Sequence, residues 1–163
     1  MAAGPTESAR MTTAREARFR IDYANSSPRS TRIIALDRTS ARAIPSLVAA
    51  PSGARLLTVL GPEGRPGETL LVQDGTNVSL ADALASADAV VMVATAGESA
   101  EAALRIGPEC RARGIMTTGV ILPLAGKDVD SSLTLKNLRQ YAAMLVVTTD
   151  VDYLSDMLSA LRA

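Results

Sequence analysis

An unbroken apolar run, AVVMVA at Ala89–Ala94, is the feature that most limits how this chain can fold. A strand that faces water on one side alternates apolar and polar residues, so a wholly apolar run indicates a strand covered on both faces. Such coverage is typical of parallel sheets with helices packed above and below. A helical pattern and a second strand pattern, Ile115–Leu122, come next in the chain. This order predicts a right-handed strand–helix–strand crossover.

The same alternation of strands and helices continues along most of the chain. The other strand patterns are Thr31–Leu36, Arg55–Leu60, Thr69–Val72 as an edge strand, and Met144–Thr148. Helical spacing of apolar residues predicts helices at Ala41–Ala50, Leu135–Ala142 and from Val151. Two more are predicted after Ser79, which caps the first of them, and after Ser99, where Pro108 should kink or divide the helix. We therefore expect residues 31–163 to form a single α/β domain, a three-layer Rossmann-like fold with a mostly parallel sheet.

Composition excludes several kinds of chemistry. The 163 residues include no His, which rules out a Ser-His-Asp triad and a His-ligated metal site. A formal net charge of +0 provides no overall attraction to nucleic acid or to an anionic membrane surface, and no apolar run reaches the roughly 18 residues of a membrane helix. The lone Cys110 permits no internal disulfide and suits a reducing compartment, so we expect a cytoplasmic protein. At its place in the helical pattern, Cys110 is predicted to be a core residue rather than a nucleophile.

The first 30 residues differ in composition from the rest. They are rich in Arg, Ser and Thr, which predicts a flexible N-terminal arm that is dispensable for folding of the α/β domain. Phe19, Ile21 and Tyr23 alternate with polar residues in this arm. That spacing suits a short edge strand or a segment that docks on a neighbouring surface.

Polar residues follow the predicted strands, where open α/β sheets bind their ligands. The segments are Asp37–Ser40, Thr95–Ser99, Pro123–Ser132 and Thr148–Asp150. From them we select as candidate ligand-binding residues Asp37, Thr39, Ser40, Thr95, Gly97, Ser99, Thr149 and Asp150. We expect no catalytic residue, cofactor or metal site, since the carboxylates of the two Asp-Val-Asp segments are better explained as helix caps.

The turn TAGES, Thr95–Ser99, has two interpretations. In the first, its hydroxyls and the N–H groups near Gly97 hold a phosphate or another hydroxyl-rich ligand, with Gly97 at positive φ. In the second, the turn is a tight corner in which Ser99 caps the next helix. The turn has no Lys and lacks the glycines of a P-loop. Glu98 and Glu101, expected in the first helical turn, would repel an anion.

Two families resemble parts of this sequence. The segments TRIIALDRTSARAI, SADAVVMVATAG and LAGKDVDSSLTLKNLRQYAAMLVVTTDVDYL are similar, in order, to the core of FtsZ, the bacterial tubulin homologue. This resemblance implies the tubulin-like fold. It does not imply GTPase activity, because Asp37–Ser40 and Thr95–Ser99 stand where FtsZ has glycine-rich GTP motifs. Only Gly97 matches an FtsZ nucleotide-binding position.

The second resemblance is to sugar isomerase (SIS) domains. AVVMVATAGESAEAAL is similar to their strand, S-x-S-G-x-[ST]-x-E motif and helix, with Thr95, Gly97, Ser99 and Glu101 on the pattern and Val93 in place of the first Ser. In that family the hydroxyls of this loop hold a phosphosugar.

These observations leave two functional hypotheses. The first is a non-catalytic module that binds a protein partner or a second copy of itself, without GTPase or ATPase turnover. The second is a phosphosugar- or nucleotide-binding domain that uses the Thr95–Ser99 turn for a small phosphorylated ligand. Neither hypothesis predicts binding to nucleic acid or membrane.

Overall fold

A computed structural model describes residues 29–47, 54–59, 70–129, 132–148 and 151–160. Its strands are β1 (Thr31–Ala35), β2 (Arg55–Val59), β3 (Leu70–Gln73), β4 (Thr76–Ser79), β5 (Ala89–Thr95), β6 (Met116–Leu122) and β7 (Met144–Val147). Its helices are α1 (Arg38–Leu47), α2 (Leu80–Leu84), α3 (Ala103–Ala112), α4 (Leu133–Arg139) and α5 (Val151–Ala160). None of these helices is long and apolar enough to cross a membrane. The predicted N-terminal arm lies outside the described residues except for Arg29 and Ser30.

The described strands form one sheet in the order β4-β3-β2-β1-β5-β6-β7. The five strands from β2 to β7 in this order are parallel, whereas β3 and β4 are antiparallel to their neighbours. All seven residues of β5 are buried, as the apolar run predicts for a strand covered on both faces. The prediction of an α/β domain with a mostly parallel sheet is thus confirmed.

Helices cover both faces of this sheet. On one face Ile44 of α1 and Leu154 of α5 pack with Val91 and Val93 of β5. On the other face α2, α3 and α4 pack over the opposite sides of the same strands, with buried side chains that include Leu84, Ile106, Cys110 and Leu138. The result is the predicted three-layer arrangement.

The sheet has one more hairpin than the sequence analysis predicted. We expected an edge strand at Thr69–Val72, but β3 lies inside the sheet, between β2 and β4. A two-residue turn, Asp74–Gly75, joins β3 to β4, and both turn residues have positive φ (50° and 77°). Asp-Gly between two short strands is a strong hairpin signal that the sequence analysis overlooked.

Helices α1, α3 and α4 differ from the predictions, and α4 spans Leu133–Arg139 rather than Leu135–Ala142. Helix α1 begins at Arg38 rather than near Ala41, because the Asp37 side chain accepts a hydrogen bond from the backbone of Ser40 and caps the helix there. Helix α3 runs from Ala103 to Ala112 without a break, so Pro108 does not divide it. Ser79 caps α2 through the backbone N–H of Asp82, as predicted.

Cys110 lies on the buried face of α3 and is fully buried in the core, which confirms its predicted place there. Burial raises the pKa of its thiol to about 11, because the thiolate would lose its solvation. We expect Cys110 to react with a thiol reagent at pH 8 only when the protein unfolds, whereas a denatured sample should react at once. Labelling of the native protein as fast as that of the denatured sample would contradict this prediction.

The raised pKa of Cys110 also makes stability depend on pH. The free energy of unfolding should fall between about pH 9 and 11, where the unfolded chain loses its thiol proton before the folded one does.

Candidate functional site

The carboxyl ends of the parallel strands lie at one edge of the sheet, which we call the rim. The rim includes the described segments that follow β1, β5, β6 and β7. Strand order changes direction between β1 and β5, since the chain goes from β1 outward to β2 and later returns to β5 on the other side of β1. A crevice at such a point is where doubly wound sheets usually bind ligands. The residues that face each other there are Asp37, after β1, and Thr95, at the end of β5.

Asp37 bonds across this crevice with both carboxylate oxygens. One oxygen accepts hydrogen bonds from the Ser40 backbone N–H (2.7 Å) and the Thr95 hydroxyl (3.0 Å). The other accepts from the Thr95 backbone N–H (2.7 Å). The Ser40 hydroxyl donates to the Asp37 carbonyl (2.9 Å) and is fully buried, whereas Thr95 is 2% exposed. The structure thus brings together three candidate residues, Asp37, Ser40 and Thr95, and bonds them to one another.

Backbone donors of the Thr95–Ser99 turn are mostly used inside the protein. Besides the Thr95 N–H on Asp37, the Ala96 N–H donates to the Leu122 carbonyl (2.9 Å) and the Glu98 N–H to the Thr95 carbonyl (3.1 Å). A phosphate cradle needs consecutive N–H groups that converge on one external point. The donors of this turn instead diverge to three acceptors of the chain itself.

Gly97 has the positive φ that the sequence analysis predicted, at 92°. A side chain there would be strained by this backbone conformation, and a Cβ atom would also lie 3.0–3.3 Å from the aliphatic carbons of Lys127. Lys127 is exposed in the segment after β6, and the aliphatic part of its side chain lies close to Gly97. No sequence pattern pointed to Lys127, because the turn itself contains no Lys and nothing local links two segments so far apart in the chain.

Helix α4 holds the turn from one side. The Thr134 hydroxyl donates to the Glu98 carbonyl, and the Asn137 amide donates to the Ser99 carbonyl at 2.7 Å. Thr134 is fully buried. Neither residue was a sequence-based candidate, since only the tertiary fold places α4 beside the turn.

The predicted cap by Ser99 is wrong. Helix α3 begins only at Ala103, and its N-cap residue Ala102 makes no side-chain capping bond. Ala100 turns the chain with φ of 50°. Because α4 binds the carbonyls of the turn, the chain runs three residues farther before it becomes helical. Glu98 and Glu101 consequently precede the helix, and its first turn contains no acidic residue, contrary to our expectation.

The remaining candidates are not brought into this network. Thr39 is exposed in the first turn of α1, and Thr149 and Asp150 lie outside the described residues. Ser132 caps α4 through the Leu135 N–H (3.2 Å), the position for which the sequence suggested an Asp. Among the residues that the structure describes, no three His, Cys, Asp or Glu side chains lie close enough together to hold a metal ion.

The fold and rim define a three-layer α/β domain in which the carboxylate of Asp37 bridges the two strand ends at the change of strand order. No family model matches the chain, and no curated protein is similar to it in sequence. Among solved structures, part of the human COPII-coat protein Sec24c is similar, with 13% sequence identity and a TM-score of 0.42. The similarity covers 85% of this chain but 33% of the Sec24c chain. A likeness this remote does not identify a family.

Proposed function

We propose that this protein is a non-catalytic α/β module that acts through protein–protein contacts, with a partner protein or with a second copy of itself. The observation that carries this proposal is the position of Asp37. Its carboxylate occupies the crevice at the change of strand order and takes the Ser40 and Thr95 donors that an anionic ligand would need. A phosphate at the same place would meet a negative charge and no free donor from these residues.

Charge at the rim also argues against phosphoryl transfer. Such chemistry depends on several positive charges around the phosphates, usually a bound Mg²⁺ together with Lys or Arg. In the described rim segments the basic side chains are Arg38, next to Asp37, and Lys127. The absence of the glycine-rich motifs of FtsZ is consistent with this view, so the tubulin-like relationship that we propose concerns the fold and does not extend to GTP hydrolysis.

Apolar side chains at the rim support the protein–protein part of the proposal. Of the seven large apolar side chains that are exposed in the described residues, five lie in segments that the topology places at the carboxyl ends of the strands: Leu104, Leu124, Leu133, Val147 and Tyr153. Single exposed apolar residues are ordinary, whereas clustering around a rim of polar groups is typical of interaction surfaces. The single buried thiol supports placing this module in the cytoplasm.

Ligand binding and turnover test the proposal directly. With GTP, ATP or sugar phosphates, we expect no change in melting temperature and no release of phosphate. A specific ligand at 100 times its dissociation constant would stabilise the fold by about 2.7 kcal/mol, which a thermal melt detects readily. Turnover that disappears in Gly97→Trp while the variant keeps a cooperative melt would overturn the proposal; the melt is the control because any side chain at Gly97 is strained by the positive φ of this residue.

One observation favours the alternative, a small phosphorylated ligand at the Thr95–Ser99 turn. The side chain of Lys127, which carries a positive charge, lies beside Gly97, and Ser99 of the same turn is exposed. If this alternative holds, a sugar phosphate should raise the melting temperature of the wild type, and Lys127→Ala should abolish the shift. The matched variant Lys136→Ala, an exposed lysine on α4, should keep it.

A further inference from the structure

The two outer edges of the sheet differ in character. Strand β4 is polar, with Thr76 and Asn77 exposed. Strand β7, MLVV, contains no polar or charged residue, and its Met144 and Val147 are 40% and 48% exposed. Proteins protect edge strands from pairing with other chains by Lys, Pro, bulges or covering segments. Within the described residues β7 has no such protection, and no strand pairs with its outer side.

Hydrogen bonding to β6 shows which backbone groups of β7 point outward. Val147 is the register partner of Ile121, and the Thr148 N–H donates to the Ile121 carbonyl (3.1 Å). Inward and outward groups alternate along a strand, so the N–H and C=O of Val146 also point toward β6. Those of Leu145 and Val147 therefore point away from the sheet.

We propose that β7 pairs with β7 of a second copy of this chain, antiparallel and about a twofold axis at Val146. This inference rests on the proposed function and names one surface for it. In this register Leu145 of each chain faces Val147 of the other. Both residues with outward backbone groups then form hydrogen bonds, and the two pairs together make four. Val146 faces its own counterpart as a pair without hydrogen bonds.

Self-complementarity is the reason for a second copy as the occupant. A twofold contact places each patch against itself, so a charged strand would meet its own charge. In the proposed register the Leu145–Val147 and Val146–Val146 pairs are apolar, Met144 faces the uncharged Thr148, and the whole chain has a formal net charge of +0. No charge in β7 would therefore repel β7 of the second copy. The contact is short, so the dimer is weak and depends on concentration.

The mass in solution tests this pairing. Light scattering of the 163-residue chain should show 17.0 kDa at low concentration and approach twice that mass as concentration rises. Val147→Lys should remain at the monomer mass throughout with an unchanged melt, because Val147 is exposed in the single chain. The inference is wrong if the wild-type mass stays at 17.0 kDa up to millimolar concentration. That is also the result expected if another part of the chain, such as residues 1–28, occupied this edge.

Disulfide trapping tests the register. Residues that face each other without hydrogen bonds have Cβ atoms about 4.5–5.5 Å apart, close enough for a disulfide after a small adjustment. Val146→Cys should give a covalent dimer under mild oxidation, faster than Asn77→Cys on the β4 edge. The native Cys110 is buried, so the wild type provides the background. Equal rates for the two variants would refute pairing through β7. That result leaves the test of the proposed function unaffected, since ligand binding and turnover are measured independently.

Discussion

Replacing Asp37 by alanine is expected to reduce the free energy of unfolding by about 2–4 kcal/mol, because the carboxylate accepts three hydrogen bonds that link β1, α1 and β5. Two of the donors belong to Thr95, which is 2% exposed and would be left without a partner. Chemical denaturation measures the change. Asp156→Ala, at an exposed position on α5, is the matched control and should change stability by less than about 0.5 kcal/mol.

Two further variants separate the parts of this network. Thr95→Val removes the hydroxyl and should cost about 1 kcal/mol of stability, whereas Thr95→Ser retains the hydrogen bond to Asp37.

In Asp37→Ala the vacated donors should bind a small carboxylate, so acetate should raise the melting temperature of this variant more than that of the wild type. If Asp37→Ala has the same free energy of unfolding as the wild type, the Asp37 carboxylate does not hold β1 and β5 together at this point. That result would remove the main support for the proposed function.

Gly107→Ala is expected to destabilise the fold by about 2–3 kcal/mol, although alanine is favoured over glycine in helices by about 1 kcal/mol. A Cβ atom at Gly107 would lie 2.1 Å from Cγ of Tyr141, in the ring that packs against α3. The Arg111 guanidinium lies 5.5 Å from the centre of the same ring and donates to the Gln140 carbonyl, so the ring has little freedom to move.

Two comparisons test whether the clash with Tyr141 causes this loss of stability. In a Tyr141→Gly background, which removes the Tyr141 Cβ (2.5 Å from the added atom) as well as the ring, Gly107→Ala should cost nothing or stabilise slightly, because the clash is gone; a double-mutant cycle gives this coupling. Gly119→Ala should cost less than Gly107→Ala, since its nearest neighbour is the flexible end of Leu145, at 2.6 Å. An equal loss for Gly107→Ala in the presence and absence of Tyr141 would contradict the explanation.

Sequence patterns predicted the parallel part of the fold well, and the site only in part. The selection of Asp37, Ser40 and Thr95 came from the rule that parallel strands end at a common edge, and the structure places them in contact. What the rule does not provide is the direction of each donor. The carboxylate could face a ligand or the neighbouring strand, and only the tertiary structure shows that it faces Thr95.

The sequence by itself determined the apolar strand Ala89–Ala94, the helix layers around it and the positive φ of Gly97, because these follow from hydrophobic period and glycine geometry. Tertiary structure alone decided that Lys127 covers Gly97 and that α4 binds the carbonyls of the turn and delays α3. Such contacts join segments distant in the chain, and their hydrogen bonds outweigh the local preference for a helix to begin at Ser99.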